Sequence, residues 1–163
     1  MHASRGFFRA AVLLGVGLGG LIDGILLHQV LQWHHLLSRP IPPISVESLE
    51  LNTLADGLFH LAAWVITLAG VVWLSRTRRP EVGAGGKFAG GLLLGCGGFN
   101  VVEGVVDHYL LGIHHVRAGP DAWLYDLVAL ILAIVLVVAG ITVTKRASAA
   151  PPGRDRRPFG RGS

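Results

Sequence analysis

The chain has 163 residues, 52% of them hydrophobic and 15% charged, and its mean hydropathy is positive. An average soluble domain carries about 25% charged residues, so this composition excludes one and indicates an integral membrane protein of single-domain length. The formal charge of +4 does not imply a nucleic-acid partner, because the basic residues flank apolar segments and no recognition motif accompanies them.

Four apolar stretches, roughly 8–36, 54–74, 88–115 and 122–144, each reach the ~20 residues needed to cross a bilayer as a helix. The first follows Arg5 and Arg9, as the core of a signal peptide would. However, no small-residue cleavage pattern follows residues 10–22, and the segment runs on into DGILLHQVLQWHH. Trp33, Trp123 and Tyr125 read as anchors at the membrane interface. The third stretch contains Cys96, the only cysteine, so no disulfide or paired-thiolate site can form within one chain. The fourth is the cleanest, with no charged residue over 127–143. Residues 147–163, rich in Pro, Gly and Arg, read as a disordered basic tail behind a transmembrane domain of residues 1–146.

Lysine and arginine concentrate at the N-terminus, in the loop holding Arg76, Arg78, Arg79 and Lys87, and behind the fourth stretch. The two remaining connections carry one each, Arg39 and Arg117. The positive-inside rule therefore predicts a multi-pass protein of a bacterial-type inner membrane with both termini cytoplasmic.

Sliding the chain by 80 residues superposes Phe8, Gly15, Gly17, Gly24, His28, His34 and His35 on Phe88, Gly95, Gly97, Gly104, His108, His114 and His115, with Asp23 on Glu103. A shift of 70 superposes Leu54, Asp56, Ala63, Gly70 and Arg76 on Leu124, Asp126, Ala133, Gly140 and Arg146. The sequence thus reads as an all-α membrane protein, a four-helix transmembrane bundle made by tandem duplication of a two-helix hairpin, with repeats at about 7–79 and 87–146. Spacings of four, Gly15 to Gly19 and Gly91 to Gly95, predict a close crossing of the first and third helices, with homodimerisation as the alternative use of those faces.

Half of the ten acidic residues, Asp23, Asp56, Glu103, Asp107 and Asp126, fall inside predicted spans. An unpaired charge there costs about 2.5–3.5 kcal/mol on the insertion scale, so such groups face a protein interior and pair. At about 100° per residue, Asp23, His28, His34 and His35 share an arc of roughly 140°, and the second copy repeats it. Asp56 and His60 lie one turn apart at the same end of the second helix.

Imidazoles without thiolate suit copper, zinc or iron, and carboxylates complete a shell or orient a histidine through its second nitrogen. The expected ligands are His28, His34, His35, His108, His114 and His115, with His60 able to join them. Asp23, Asp56, Glu103, Asp107 and Asp126 serve as orienting groups or further ligands. His28 and His60 also lie at comparable depth on neighbouring helices, as an axial pair for b-type haem would. Such a centre suits copper or iron handling, or an accessory to a respiratory metalloprotein, with a membrane protein of that kind as partner. Two other readings stand beside it: a proton or ion relay, and a metal-free structural or assembly subunit. No catalytic motif is present, although histidine and aspartate are also the parts of a metal-dependent membrane hydrolase.

The repeated DG…H…HH and EGVVDH…HH segments, with ADGLFH and LYDL opening the second and fourth helices, resemble an uncharacterised bacterial family of four-span membrane proteins, a domain of unknown function. The resemblance covers about residues 7–145 and implies the topology and the polar pattern, but no activity.

Overall fold

In the computed structural model, residues 2–80 and 82–149 are described, with side chains from Arg5 onward. They form α1 (His2–Asp23), α2 (Val46–Arg76), α3 (Ala84–Glu103) and α4 (Ala122–Ala149). Two π-helical segments, π1 (Gly24–Val30) and π2 (Gly104–Leu110), continue α1 and α3 without a break. Counting those extensions, all four helices are long and apolar enough to cross a membrane. Most of the expected disordered tail lies outside the described residues, and α4 itself runs on to Ala149.

α1 packs against both α2 and α3, and α3 packs against α4, so the helices stand in the order α2, α1, α3, α4. Small residues on opposite faces of the two inner helices explain this order. On α1, Gly15 meets the Leu92 backbone of α3, while Gly17 meets Thr67 of α2. On α3, Gly95 lies against Val12 and Val16 of α1, and Gly97 against Ala133 and Leu136 of α4. Lipid is as apolar as leucine, so association rests on close backbone packing rather than on apolar burial. The flanking helices turn large apolar residues outward, including Leu61, Trp64 and Val65 on α2 and Ile131, Leu132 and Val135 on α4.

A Cβ on Gly95 would clash with the Val12 carbonyl, whereas one on Gly98 would meet nothing within 4 Å. Gly95→Ala is therefore expected to cost about 1–3 kcal/mol through overpacking, a drop of roughly 2–12 °C in the thermal midpoint of detergent-purified protein. Gly98→Ala should melt with the wild type.

The helical ends differ from expectation. The first and third apolar stretches were expected to stay helical to residues 36 and 115, but the chain leaves the helix after π1 and π2. His34, His35, His114 and His115 consequently lie in loops, and the 100° wheel does not describe them. The exit is a left-handed residue, Gln32 at φ 50° in one half and Gly112 at φ 59° in the other. Each loop first closes over its π segment, Trp33 N–H donating to the Leu27 carbonyl and Ile113 N–H to Asp107. It then turns back toward the bundle. α2 begins earlier than expected, at Val46, on a capping box between Ser45 and Ser48.

Candidate metal centre

The polar groups meet at the end of the bundle where π1 and π2 lie. Asp56, fully buried within α2, accepts three hydrogen bonds: from His28 Nδ1 at 2.9 Å, His35 Nδ1 at 2.7 Å and the Leu36 N–H at 2.8 Å. Asp126 on α4 accepts from His115 Nδ1 at 2.6 Å and from the Val116 N–H at 2.9 Å, with His108 Nδ1 3.3 Å away. Each carboxylate therefore ties its returning loop to a flanking helix, and Asp56 ties π1 as well.

The loops also cross between halves. His34 Nδ1 donates to the Val116 carbonyl at 2.9 Å, and His114 Nδ1 to the Leu36 carbonyl at 3.2 Å. Carbonyl and carboxylate oxygens only accept, so Nδ1 carries the proton in His28 and His34, whereas His114 faces an acceptor at each nitrogen, the Leu36 carbonyl at Nδ1 and Glu103 Oε1 at Nε2. The neutral form of His28 and of His34 then keeps its lone pair on Nε2. That is the tautomer of a metal-ligating histidine whose other nitrogen is held from behind.

The four inner rings are packed together. His34 and His114 stack with centroids 4.5 Å apart and planes 7° apart, His28 stands edge-on to His34 at 4.4 Å, and His108 edge-on to His114 at 4.8 Å. His28, His34, His108 and His114 are all buried, and among the described residues Nε2 of His28, His34 and His108 has no hydrogen-bond partner.

The tightest convergence lies in the second half. Nε2 of His108 and of His114 each approach the same atom, Glu103 Oε1, at 3.0 Å. His114 meets it in hydrogen-bonding geometry, while His108 is at ion-pair distance but poorly angled for a hydrogen bond. One ligand atom from each of the three lies within 4.8 Å of the others. Donors around a tetrahedral ion at about 2.0–2.1 Å stand roughly 3.3 Å apart, so small side-chain shifts would let this trio share one cation. In the first half, Asp23 Oδ2 lies 3.7 Å from His28 Nε2.

Other expected residues stand further out. His35 and His115 are partly exposed and line a cavity of about 240 Å³ with Trp33, His34 and Arg39. Asp107 is half-buried within electrostatic range of Glu103, His108 and His114. His60 pushes its Nε2 against Gly24, 6.2 Å from His28 between ring centroids. Its counterpart, Leu130, leaves Gly104 with nothing within 4 Å of its Cβ direction. Trp33 and Tyr125, expected as separate anchors, contact each other edge-on at 5.6 Å, with the Arg117 guanidinium over both rings.

Three features escaped sequence reasoning. Asn52 is fully buried and its amide donates to the Ile41 and Ser48 carbonyls, pinning the longer loop to α2. Phe59 stacks on His28 at 5.8 Å. The left-handed exit at Gln32 had one available signal, because the 80-residue shift places it on a glycine, Gly112.

His34 lies in the loop beyond the first span, and burial, followed by the neighbouring His114 and His28, pushes its imidazole down to about 3. An unfolded histidine takes up a proton near pH 6.5, whereas folded His34 stays neutral until near pH 3. Folded-state stability is therefore lost as pH falls through that window. The thermal midpoint should decline less steeply between pH 6.5 and 4 in His34→Asn than in the wild type.

Fold and site together define a four-helix membrane protein with a buried histidine and carboxylate cluster at one end of the bundle. The chain belongs to the DUF2243 family, described as a predicted membrane protein, whose family model matches residues 10–147. Among curated proteins and solved structures, none matches the chain.

Proposed function

We propose that this protein is a membrane metalloprotein that binds a transition metal ion, copper, zinc or iron, through Glu103, His108 and His114. The observation that carries this reading is the convergence of two imidazole Nε2 atoms on one carboxylate oxygen at 3.0 Å. A neutral His114 can donate from only one nitrogen, so one of its two contacts with acceptor oxygens, to the Leu36 carbonyl or to Glu103, sets a lone pair against a lone pair. A shared cation relieves that repulsion, and the supporting hydrogen bonds hold the rings in a ligating orientation. The physiological role that fits is copper or iron handling, or service beside a respiratory metalloprotein.

A bare ion suits the packing better than haem. Phe59, His34 and His114 surround His28 with ring centroids at 4.4–6.1 Å, and a porphyrin between His28 and His60 would displace them. The chains His28–Asp56–His35 and His108–Asp126–His115 favour a second reading, a proton relay from the cluster to the cavity lined by His35 and His115. Matched contacts, offset by 80 residues on the returning loop and by 70 on the flanking helix, support tandem duplication as the origin of the fold. The distribution of Lys and Arg supports cytoplasmic termini.

Elemental analysis of detergent-purified wild type, with its visible spectrum, tests the reading. Stoichiometric copper, zinc or iron is the expected result. A protein that stays metal-free and colourless after incubation with all three ions overturns it, and proton flux in liposomes would then favour the relay.

A further inference from the structure

The first half of the chain contains the same three donors as the second, displaced by 80 residues: Asp23, His28 and His34 beside Glu103, His108 and His114. All three side chains are buried. Nε2 of His28 and of His34 are buried without a hydrogen-bond partner, although His28 Nδ1 is held by Asp56 and His34 Nδ1 by the Val116 carbonyl. Two buried lone pairs thus meet no donor among the described residues, a costly arrangement unless a ligand meets them.

We infer that Asp23, His28 and His34 form a second metal site, so that the centre holds two ions, one in each half, meeting across the stacked rings of His34 and His114. This rests on the metal-binding reading of the Glu103 half.

Ring geometry supports two sites over one axial ion. Each half has its own edge-on pair, His28 with His34 at 69° and His108 with His114 at 74°, and each pair has a carboxylate beside the Nε2 of its π-segment histidine. Three protein ligands make a sufficient set for an ion that keeps an open position.

Charge points the same way. With neutral imidazoles, Asp23, Asp56, Glu103 and Asp126 bring four formal negative charges into one buried cluster, and Asp23 lies within electrostatic range of Glu103. The ion-pair contacts of these four carboxylates are with histidines, which balance a carboxylate only when protonated. Two divalent ions balance four carboxylates, and one leaves half of that charge buried. Charges at membrane depth are paired as a rule. Glu103 reaches its histidines at 3.0 Å while the shorter Asp23 stops at 3.7 Å, so the first-half ion should be the weaker bound.

The test is a zinc titration of the full-length, metal-stripped protein in detergent, with elemental analysis after excess zinc is removed. The wild type should retain two zinc ions per chain. Asp23→Ala/His34→Ala should retain one, and so should Asp23→Ala alone, which removes no hydrogen bond and guards against misfolding of the double variant. Copper(II) loading adds a second readout, because two close copper ions couple magnetically and weaken the resonance signal expected of isolated ions.

One zinc in the wild type, still present in Asp23→Ala, overturns the second site and leaves the Glu103 site standing. One zinc in the wild type that is lost both from Asp23→Ala/His34→Ala and from Glu103→Gln/His114→Ala overturns it in favour of a single shared ion. No zinc, copper or iron retained at all defeats the metal-binding reading, and this inference with it.

Discussion

Glu103→Gln/His114→Ala protein is expected to lose the ion held in the second half, with metal affinity reduced by more than 100-fold. The bound rests on the supporting groups: removing a hydrogen-bonded partner behind a ligand costs about 10–100-fold, and removing ligands themselves costs more. The substitutions act differently. Glu103→Gln keeps the shape but gives up the charge, while His114→Ala removes Nε2 and the bond from Nδ1 to the Leu36 carbonyl.

Asp126→Asn is the graded comparison. It stands behind His115 and near His108, without approaching the Nε2 atoms that converge on Glu103. Its effect should fall within the 10–100-fold range. Competition with a chelator of known affinity measures all three proteins on one scale. Wild-type affinity in Glu103→Gln/His114→Ala would show that the ion lies elsewhere.

The largest loss of stability is expected from Asp56→Ala. Asp56 is fully buried and accepts from His28 Nδ1, His35 Nδ1 and the Leu36 N–H, which join π1, the returning loop and α2. Alanine leaves three donors without an acceptor, at about 1–3 kcal/mol each when the group stays buried. A loss of roughly 3–9 kcal/mol approaches the whole stability of an ordinary domain. The variant should therefore aggregate on extraction or melt far below the wild type.

Asp126→Ala removes two hydrogen bonds rather than three, because His108 Nδ1 stands off at 3.3 Å without hydrogen-bonding geometry. Its midpoint should lie between those of Asp56→Ala and the wild type. Asp107→Ala, at a half-buried position that accepts none of these bonds, serves as the control. Equal melting of Asp56→Ala and Asp107→Ala would show that the Asp56 triad does not hold the loop.

Much of this protein was legible in its residues, for physical reasons specific to membranes. Apolar length alone identifies a spanning helix, because a backbone in lipid has to satisfy its hydrogen bonds internally. The glycines at spacings of four identified the α1 and α3 crossing, since only small residues let backbones meet as Gly15 and Gly95 do. Charge inside a span is costly enough to mark Asp23, Asp56, Glu103, Asp107 and Asp126 as interior groups before any fold was known, although Asp107 is only half-buried.

What each polar residue does was decided by tertiary structure. A helical wheel assumes that the helix continues, and here it widens at Gly24 and Gly104 and ends at Leu31 and Leu111. His34 and His114 therefore reach the cluster from returning loops, each held by a carbonyl of the opposite half, at separations of 82 and 78 residues. No local pattern encodes an acceptor that distant. The adjacent histidines His34 and His35, alike in sequence, part company for the same reason. One ring is buried against His114, and the other turns to Asp56 and stays partly exposed. Composition and spacing determined which groups had to be inside; the path of the two loops determined which nitrogen of each faces its neighbours.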